Sequence, residues 1–363
     1  MHPPVEFYNK MSKRMPRWVF TVFFVFLCIT FHADDLFGDY SASLTNADVD
    51  DYVNCTSCCL TTDSVKKIFN EKKRAVVRVV CLSTDKIDDD AENGGGYVLA
   101  GSGFFVSNEA YVVSAASIVR NAQKIWVDYM GTSYIAECIG VDDITNVAVL
   151  RLLQSPTSFV CVDLNEPNGS NLTEIGSFVV FVGCKMGMDP LPDIGLISGK
   201  NVSYSDNSFL TTYLRTNFDF SGGESGAPVF EIDGKLSGMM IASLPEIRSS
   251  FVLPKRALAR VFNSIVKDGH VDHASLGIEV RPECRFNSCQ EMVISKVIPG
   301  STAELAGIKV GDVLKKIDDA PISYKEDILN ALFFHEMKDD IRVEFVRDGE
   351  TSVLSVKPEK YAE

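Results

Sequence analysis

Histidine is scarce in this 363-residue chain: there are five, and none falls between Ala75 and Ile265. Acid–base chemistry in that stretch would have to run without the side chain whose ordinary pKa lies nearest neutrality. Positive charge is also short. Thirty-five Lys+Arg against 49 Asp+Glu leave a formal charge of −14, which removes the electrostatic footprint of a nucleic-acid binder. The apolar run Trp18–Phe31 has 14 residues, short of the ~20 that a spanning helix needs. What is present is ordinary globular material, 46% hydrophobic and 23% charged, which excludes disordered, collagen-like and coiled-coil chains. The length suits two or three domains at ~150 residues each.

Lys10, Lys13, Arg14 and Arg17 precede the apolar run, and Ala33 stands before Asp34-Asp35. A basic, apolar, small order describes a secretory signal. Residues 1–33 are therefore expected to direct export to the periplasm or beyond. Phe31 fits poorly two positions before a cut after Ala33, so the alternative is an uncleaved membrane anchor over 18–31. Translation from Met11 would give a more ordinary signal. Export places the cysteines in an oxidising compartment. Cys284 and Cys289 are close enough to staple a small loop, whereas Cys81, Cys138, Cys161 and Cys184 sit in apolar strand-like runs and are expected as small core residues. The cluster Cys55, Cys58, Cys59 has no nearby histidine and no second pair, so neither a metal nor another cofactor is expected. Sequons at Asn54, Asn168, Asn171 and Asn201 matter only in a host that glycosylates.

Residues 34–70 read as an acidic tether with one amphipathic piece (Val65, Ile68, Phe69). Between Ala75 and Ile265, eleven short apolar segments, from Ala75–Leu82 to Lys235–Ala242, are broken at regular spacing by Gly, Asn, Asp or Pro. That is the signature of a sandwich or barrel. Pro254 opens a helix through Val266. From Ser275 to Pro358 the pattern is mixed, with strands near Met292–Val297, Asp312–Ile317, Ile341–Arg347 and Ser352–Val356, and helices near Ala303–Ala306 and Tyr324–Phe334.

The sharpest local signal is Gly222-Gly223-Glu224-Ser225-Gly226-Ala227-Pro228. A serine in a glycine-rich turn can expose its Oγ and aim the amides of Gly223 and Ser225 at one point. Taken alone, the same residues also make a plain β-turn. Their surroundings resemble the HtrA/DegP family, trypsin-like serine proteases with a C-terminal PDZ domain. Gly101-Ser102-Gly103-Phe104-Phe105-Val106 resembles a first-barrel strand. Tyr111 to Val119 resembles the strand that the catalytic histidine follows, and Gly140 to Leu150 the segment bearing the catalytic aspartate. Thr216 to Pro228 resembles the serine loop, and Ser250 to Pro254 the strand closing the second barrel. Val297 to Ala303 and Ala306 to Leu314 resemble PDZ segments.

The resemblance implies a mainly β fold of two six-stranded antiparallel barrels over 71–268, followed by an α+β PDZ domain over 269–358. It implies that Leu276, Gly277 and Ile278 form a carboxylate-binding loop beside an open strand edge, receiving C-terminal peptides that end in an apolar residue. Family members are commonly trimers, so a homo- or hetero-oligomer is implied in the same way.

The chain departs from the family where the chemistry should be. Ser117 occupies the position of the catalytic histidine and Asn146 that of the aspartate, leaving only the nucleophile Ser225. A serine hydroxyl is no useful base at pH 7, and an amide cannot stabilise an imidazolium. Glu224 stands where the family usually has Asn, adding negative charge beside the expected oxyanion hole. Ala227 stands where Gly is usual, a change that would alter the turn only at positive φ. Lys124 and Lys185 are lysine-base candidates in name only. The expected protein is an exported pseudoprotease that binds unfolded or C-terminal polypeptide segments without efficient cleavage, in a chaperone-like, regulatory or scaffolding role. The alternative is an active serine endopeptidase whose base is unrecognised or supplied in trans.

Overall fold

The computed structural model describes residues 62–83, 97–165, 172–204, 207–218, 222–285 and 288–361. The export segment, the Cys55–Cys59 cluster and the sequons at Asn54, Asn168 and Asn171 lie outside them. No helix among the described residues is long and apolar enough to cross a membrane.

Helix α1 (Thr62–Lys72) places Ile68 in the core with Val65 and Phe69 beside it. Strands β1 (Val76–Ser83), β2 (Tyr97–Phe105), β3 (Tyr111–Ala115), β4 (Ala122–Tyr129), β5 (Thr132–Asp142) and β6 (Val147–Leu152) follow, with the single-turn helix α2 (Ala116–Val119) after β3. They close into an antiparallel barrel in the order β1-β2-β3-β6-β5-β4. Strands β7 (Phe178–Gly183), β8 (Leu191–Tyr204), β9 (Asn207–Thr216), β10 (Pro228–Glu231), β11 (Leu236–Leu244) and β12 (Ser249–Pro254) close a second barrel, β10-β11-β12-β9-β8-β7. Both expected barrels are thus present, each with six strands.

Successive strand residues point to opposite faces, and here both faces of many strands are buried. Phe105, Val77 and Val112 fill the first barrel. Phe181, Ile197 and Leu214 fill the second. The alternate residues, among them Phe104, Val113, Val180, Phe230 and Phe251, form a third core between the barrels. This is why the sequence shows apolar runs rather than strict alternation.

Helix α3 (Lys255–Asp268) buries Ala257, Leu258, Val261, Phe262 and Ile265 on one face and packs on β5, β6, β11 and β12. It leads into the C-terminal sheet: β14 (Ile278–Arg285), β15 (Ser288–Val297), β16 (Val313–Ile317), β18 (Ile341–Arg347) and β19 (Glu350–Val356), in that order. The short strand β17 (Ala320–Pro321) pairs with β16, and β13 (Ala274–Ser275) pairs with β20 (Glu359–Lys360). Helices α4 (Thr302–Ala306) and α5 (Lys325–Phe334) complete this domain around Ile294, Leu314, Val343 and Phe345. It is docked on the second barrel. Asn330 of α5 accepts from Thr211 Oγ1 (2.7 Å) and from Thr212 N (3.0 Å), and donates to Thr212 Oγ1 (2.9 Å).

Two of the four cysteines expected in the core are elsewhere. Cys81 and Cys184 are buried, but Cys138 is exposed and Cys161 only half-buried. A bulge in β5 shifts its pairing with β6 between Cys138 and Gly140, which breaks the alternation that would have pointed Cys138 inward. The side chains of the expected Cys284–Cys289 bridge lie outside the described residues.

Candidate active site

The serine loop is set by two glycines at which any side chain would be strained. Gly223 has φ +95° and Gly226 φ +88°, and a Cβ on them would lie 2.4 Å from Cys184 O and 2.2 Å from Ser102 O. The loop closes on itself through Ala227 N to Glu224 O (3.1 Å) and joins β11 through Gly226 N to Met240 O (2.8 Å). The first barrel grips it through one residue of β2. Ser102 donates its N–H to Ser225 O (2.9 Å) and its hydroxyl to Gly223 O (2.7 Å), while that hydroxyl accepts from Cys184 N (2.8 Å).

These bonds orient the amides. Gly222 O accepts from Met186 N (2.6 Å) and Glu224 O from Ala227 N. In a trans peptide the N–H points opposite to the preceding carbonyl. The N–H groups of Gly223 and Ser225 therefore point away from these anchors, and neither has an acceptor among the described residues. Ser225 itself is 9% exposed at the mouth of the loop.

The residues at the expected base and acid positions, Ser117 and Asn146, are joined by hydrogen bonds. Asn146 sits at the β5–β6 turn with φ +56°, a left-handed conformation that Asn tolerates. Its Oδ1 accepts from Ser117 N (2.8 Å), its Nδ2 donates to Ile241 O (2.7 Å), and its own carbonyl accepts from Ala116 N (3.1 Å). The acid-position side chain thus reaches the backbone of the base position. At that position Ser117, on α2, is exposed and short. A Cβ on Gly101 would lie 2.6 Å from Ile118 Cγ1 and 3.2 Å from Ser225 O, so one glycine separates α2 from the serine loop.

No described residue restores a base. Lys185 Nζ lies 2.9 Å from Asp193 Oδ2 and 3.3 Å from Glu224 Oε1. Burial by itself would lower the Lys185 pKa, but the hydrogen bond to Asp193 and the charge of Glu224 outweigh it and hold the ammonium above its ordinary value. Lys185 stays protonated. Lys124 is exposed on β4 of the first barrel. His270 turns to Asp268 and Asp272, and His335 to Asp318 and Asp339. His273, expected in a linker, is instead buried, with Nε2 3.1 Å from both carboxylate oxygens of Asp142. No interaction between a histidine and the Ser225 loop occurs among the described residues.

One expectation about the loop is corrected, and one point left open by the sequence is answered. Glu224 is 2% exposed and paired with Lys185, so its charge is compensated rather than left facing the oxyanion position. Ala227 is fully buried and is absent from the positive-φ residues, so the turn accepts its methyl group.

A second site lies in the C-terminal domain. Strand β14 is the edge of its sheet. The carbonyls of Leu276 and Gly277 are tied back to Ala303 N (3.2 Å) and Ile298 N (2.8 Å), which turns the following amides the other way. Gly277 N has Ser275 Oγ at 3.2 Å. Between β14, this loop and α5 runs a cavity of ≈ 430 Å³, walled by Leu276, Ile278, Ile328 and Leu332, with His273 and Leu210 of β9 also lining it. The three loop residues named from the sequence are thus brought together at one end of a groove.

A trypsin-like peptidase domain model matches residues 101–239, and a PDZ domain model matches residues 274–357. The chain is 25% identical over 268 residues to a probable periplasmic serine endoprotease, DegP-like, of Chlamydia trachomatis, covering 70% of this chain and 53% of the relative. It is 27% identical over 272 residues to the protein of the same description from a Marinomonas species, covering 70% and 56%. The chain spans about half the length of these curated relatives. Among solved structures it is similar to the HtrA-type protease AlgW with tripeptide (20% identity, TM-score 0.69, 82% of this chain and 98% of that one). It is also similar to a serine endoprotease from Yersinia pestis (20%, TM-score 0.60, 84% and 100%).

Proposed function

This chain belongs to the HtrA/DegP family, and from that premise we propose that it is an exported pseudoprotease, binding polypeptide through its PDZ domain and barrel cleft without efficient cleavage. One observation carries the reading. The amide of Asn146 bridges Ser117 N and Ile241 O where the family places a carboxylate, and Ser117 stands where it places the base. Ser225 therefore has an oxyanion loop and, among the described residues, nothing to take its proton. Removing the base lowers turnover in a serine protease by roughly 10⁶, with ~10³ over water remaining from the oxyanion hole and binding. Export is supported by the basic–apolar–small N-terminus and by the periplasmic relatives.

The test is casein hydrolysis by wild type and Ser225→Ala purified in parallel. The expected result is equal, background-level cleavage and no labelling of Ser225 by a fluorophosphonate probe. Cleavage present in wild type and abolished in Ser225→Ala overturns the reading. The amides of Gly223 and Ser225, without a partner among the described residues, favour a second reading, a site completed in trans by another subunit. Cleavage that appears only on assembly, rising steeply with protein concentration, would establish it.

A further inference from the structure

We infer that the groove between β14 and α5 selects peptides that carry a carboxylate side chain two residues before their C-terminal residue, and that Lys325 is the group that reads it. The inference rests on the peptide-binding reading of the PDZ domain and adds the ligand's class. Lys325 opens α5 and lines the groove. The wall around it is mainly apolar, with Ile278 and Val280 on the strand side and Ile328 and Leu332 on the helix side. The Lys325 side chain is exposed and enters no ion pair among the described residues. Glu279, the carboxylate of the same lining, is already committed to Lys296 at 2.6 Å. Lys325 also stands at the less favourable end of its helix for a cation. The first turn of a helix favours acids and the last turn bases. Glu326 and Asp327 follow that rule, and Asp327 Oδ2 accepts from Ser323 N and Tyr324 N (both 2.8 Å). A lysine in that turn gains nothing from the dipole, which leaves the occupant of the groove as its partner.

Position fixes which residue of the guest Lys325 meets. A peptide adding to the open edge of β14 sets its carboxylate at the Ser275–Gly277 loop. The last turn of α5 lies at that end, where Phe333 stacks on His273, so Lys325 lies at the far end. Residues three, four and seven apart share a helix face, which puts Lys325, Ile328 and Leu332 in one row. The terminal side chain fits among Leu276, Ile278, Ile328 and Leu332. From the middle of the Ile328–Leu332 pair to Lys325 is five residues, about 7.5 Å along the helix axis. Side chains on one face of an extended peptide recur every second residue, about 6.7 Å apart. The next groove-facing side chain of the guest, two before the last, therefore arrives at Lys325. An ammonium offers only donors, and a carboxylate is the acceptor that also cancels its charge. The chain as a whole carries a formal charge of −14, so its general field disfavours acidic peptides, and a preference for one has a local origin.

The experiment is calorimetric titration of the full chain, at low ionic strength, with ten-residue peptides that end in valine and differ only two residues before it, glutamate or its isostere glutamine, each free or amidated at the C-terminus. The glutamate peptide should bind about three-fold more tightly than the glutamine peptide, the worth of one exposed ion pair, and the gap should narrow as salt is added. Lys325→Gln should abolish the preference. Lys325→Glu should reverse it, and should favour a peptide with lysine at the same place over both. Lys325 is exposed, so both variants should fold as wild type does. Equal wild-type affinities for the glutamate and glutamine peptides, with intact dependence on the free carboxylate, overturn the Lys325 inference and leave PDZ binding standing. A preference unchanged in Lys325→Gln overturns it too. Indifference to amidation overturns both.

Discussion

The serine loop and the base–acid pair face each other across one site, yet the fold treats them differently. Gly223 and Gly226 are fixed by close approach of Cys184 O and Ser102 O, and Ser102 bonds the loop to both barrels. Any other residue at either glycine would disturb the packing whether or not the site turns over. Ser117 is exposed, and only its backbone is used, by Asn146. Its side chain makes no hydrogen bond among the described residues. On the pseudoprotease reading, a nucleophile loop can persist because the barrels need its turn, while the residues that would make it a nucleophile do not. On the same reading, the presence of Gly-Glu-Ser-Gly says little about catalysis, because the turn has a packing reason of its own.

The most severe way to break this contrast is to supply what the exposed half lacks. Ser117→His with Asn146→Asp should raise casein hydrolysis by roughly 10³-fold or more over wild type, because the loop already presents its amides; either change alone should do far less, since the triad acts as a unit. Failure of the double variant would mean that the loop half carries a lesion of its own, with Glu224 the first residue to examine. The reciprocal test strikes the packed half. Gly226→Ala, at positive φ and against Ser102 O, should lower unfolding free energy by about 3 kcal/mol in urea titration, whereas Ser225→Ala should move it by less than about 1 kcal/mol. Equal losses would show that the serine side chain, not the turn, holds the loop.

Behind the loop, burial pushes the Cys184 thiol up to about 11. At pH 8 its thiolate fraction is roughly 100-fold below that of an ordinary thiol. Iodoacetamide should label it correspondingly slowly in native wild type and faster in Gly223→Ala, where the loop is forced open; equal rates would mean that the loop does not seal this face. The smallest effect is expected at the acid position. Asn146→Asp replaces the donor facing Ile241 O with a second acceptor, and should cost about 1–2 kcal/mol. No loss in thermal or urea unfolding would indicate that the amide bridge contributes nothing to the turn.

Much of this was readable in the chain because it is local. Strand positions followed from apolar segments punctuated by turn residues, and Pro254, Gly223 and Gly226 announced a helix start and a tight loop. What was not readable joins distant residues. His273 and Asp142 are 131 positions apart, and nothing near His273 signals a partner in the first barrel. Its place between two domains made it look like a linker residue. Lys185 pairs with Glu224 only because the β7–β8 turn is folded against the serine loop, so the charge of Glu224 looked unopposed in sequence. Cys138 faces solvent because one bulge broke the alternation on which its core placement relied.

Helix α5 is a shared wall: Ile328 and Leu332 line the groove, while Asn330 of the same helix holds β9 by three hydrogen bonds. A guest that needs a wider groove must do mechanical work against that attachment, and one that fits the existing gap need not. On the peptide-binding reading, the domain gauges the thickness of its guest. Bulky chain ends should enter slowly and leave quickly, and cutting the Asn330 tether should relax the gauge without altering a single residue that touches the guest.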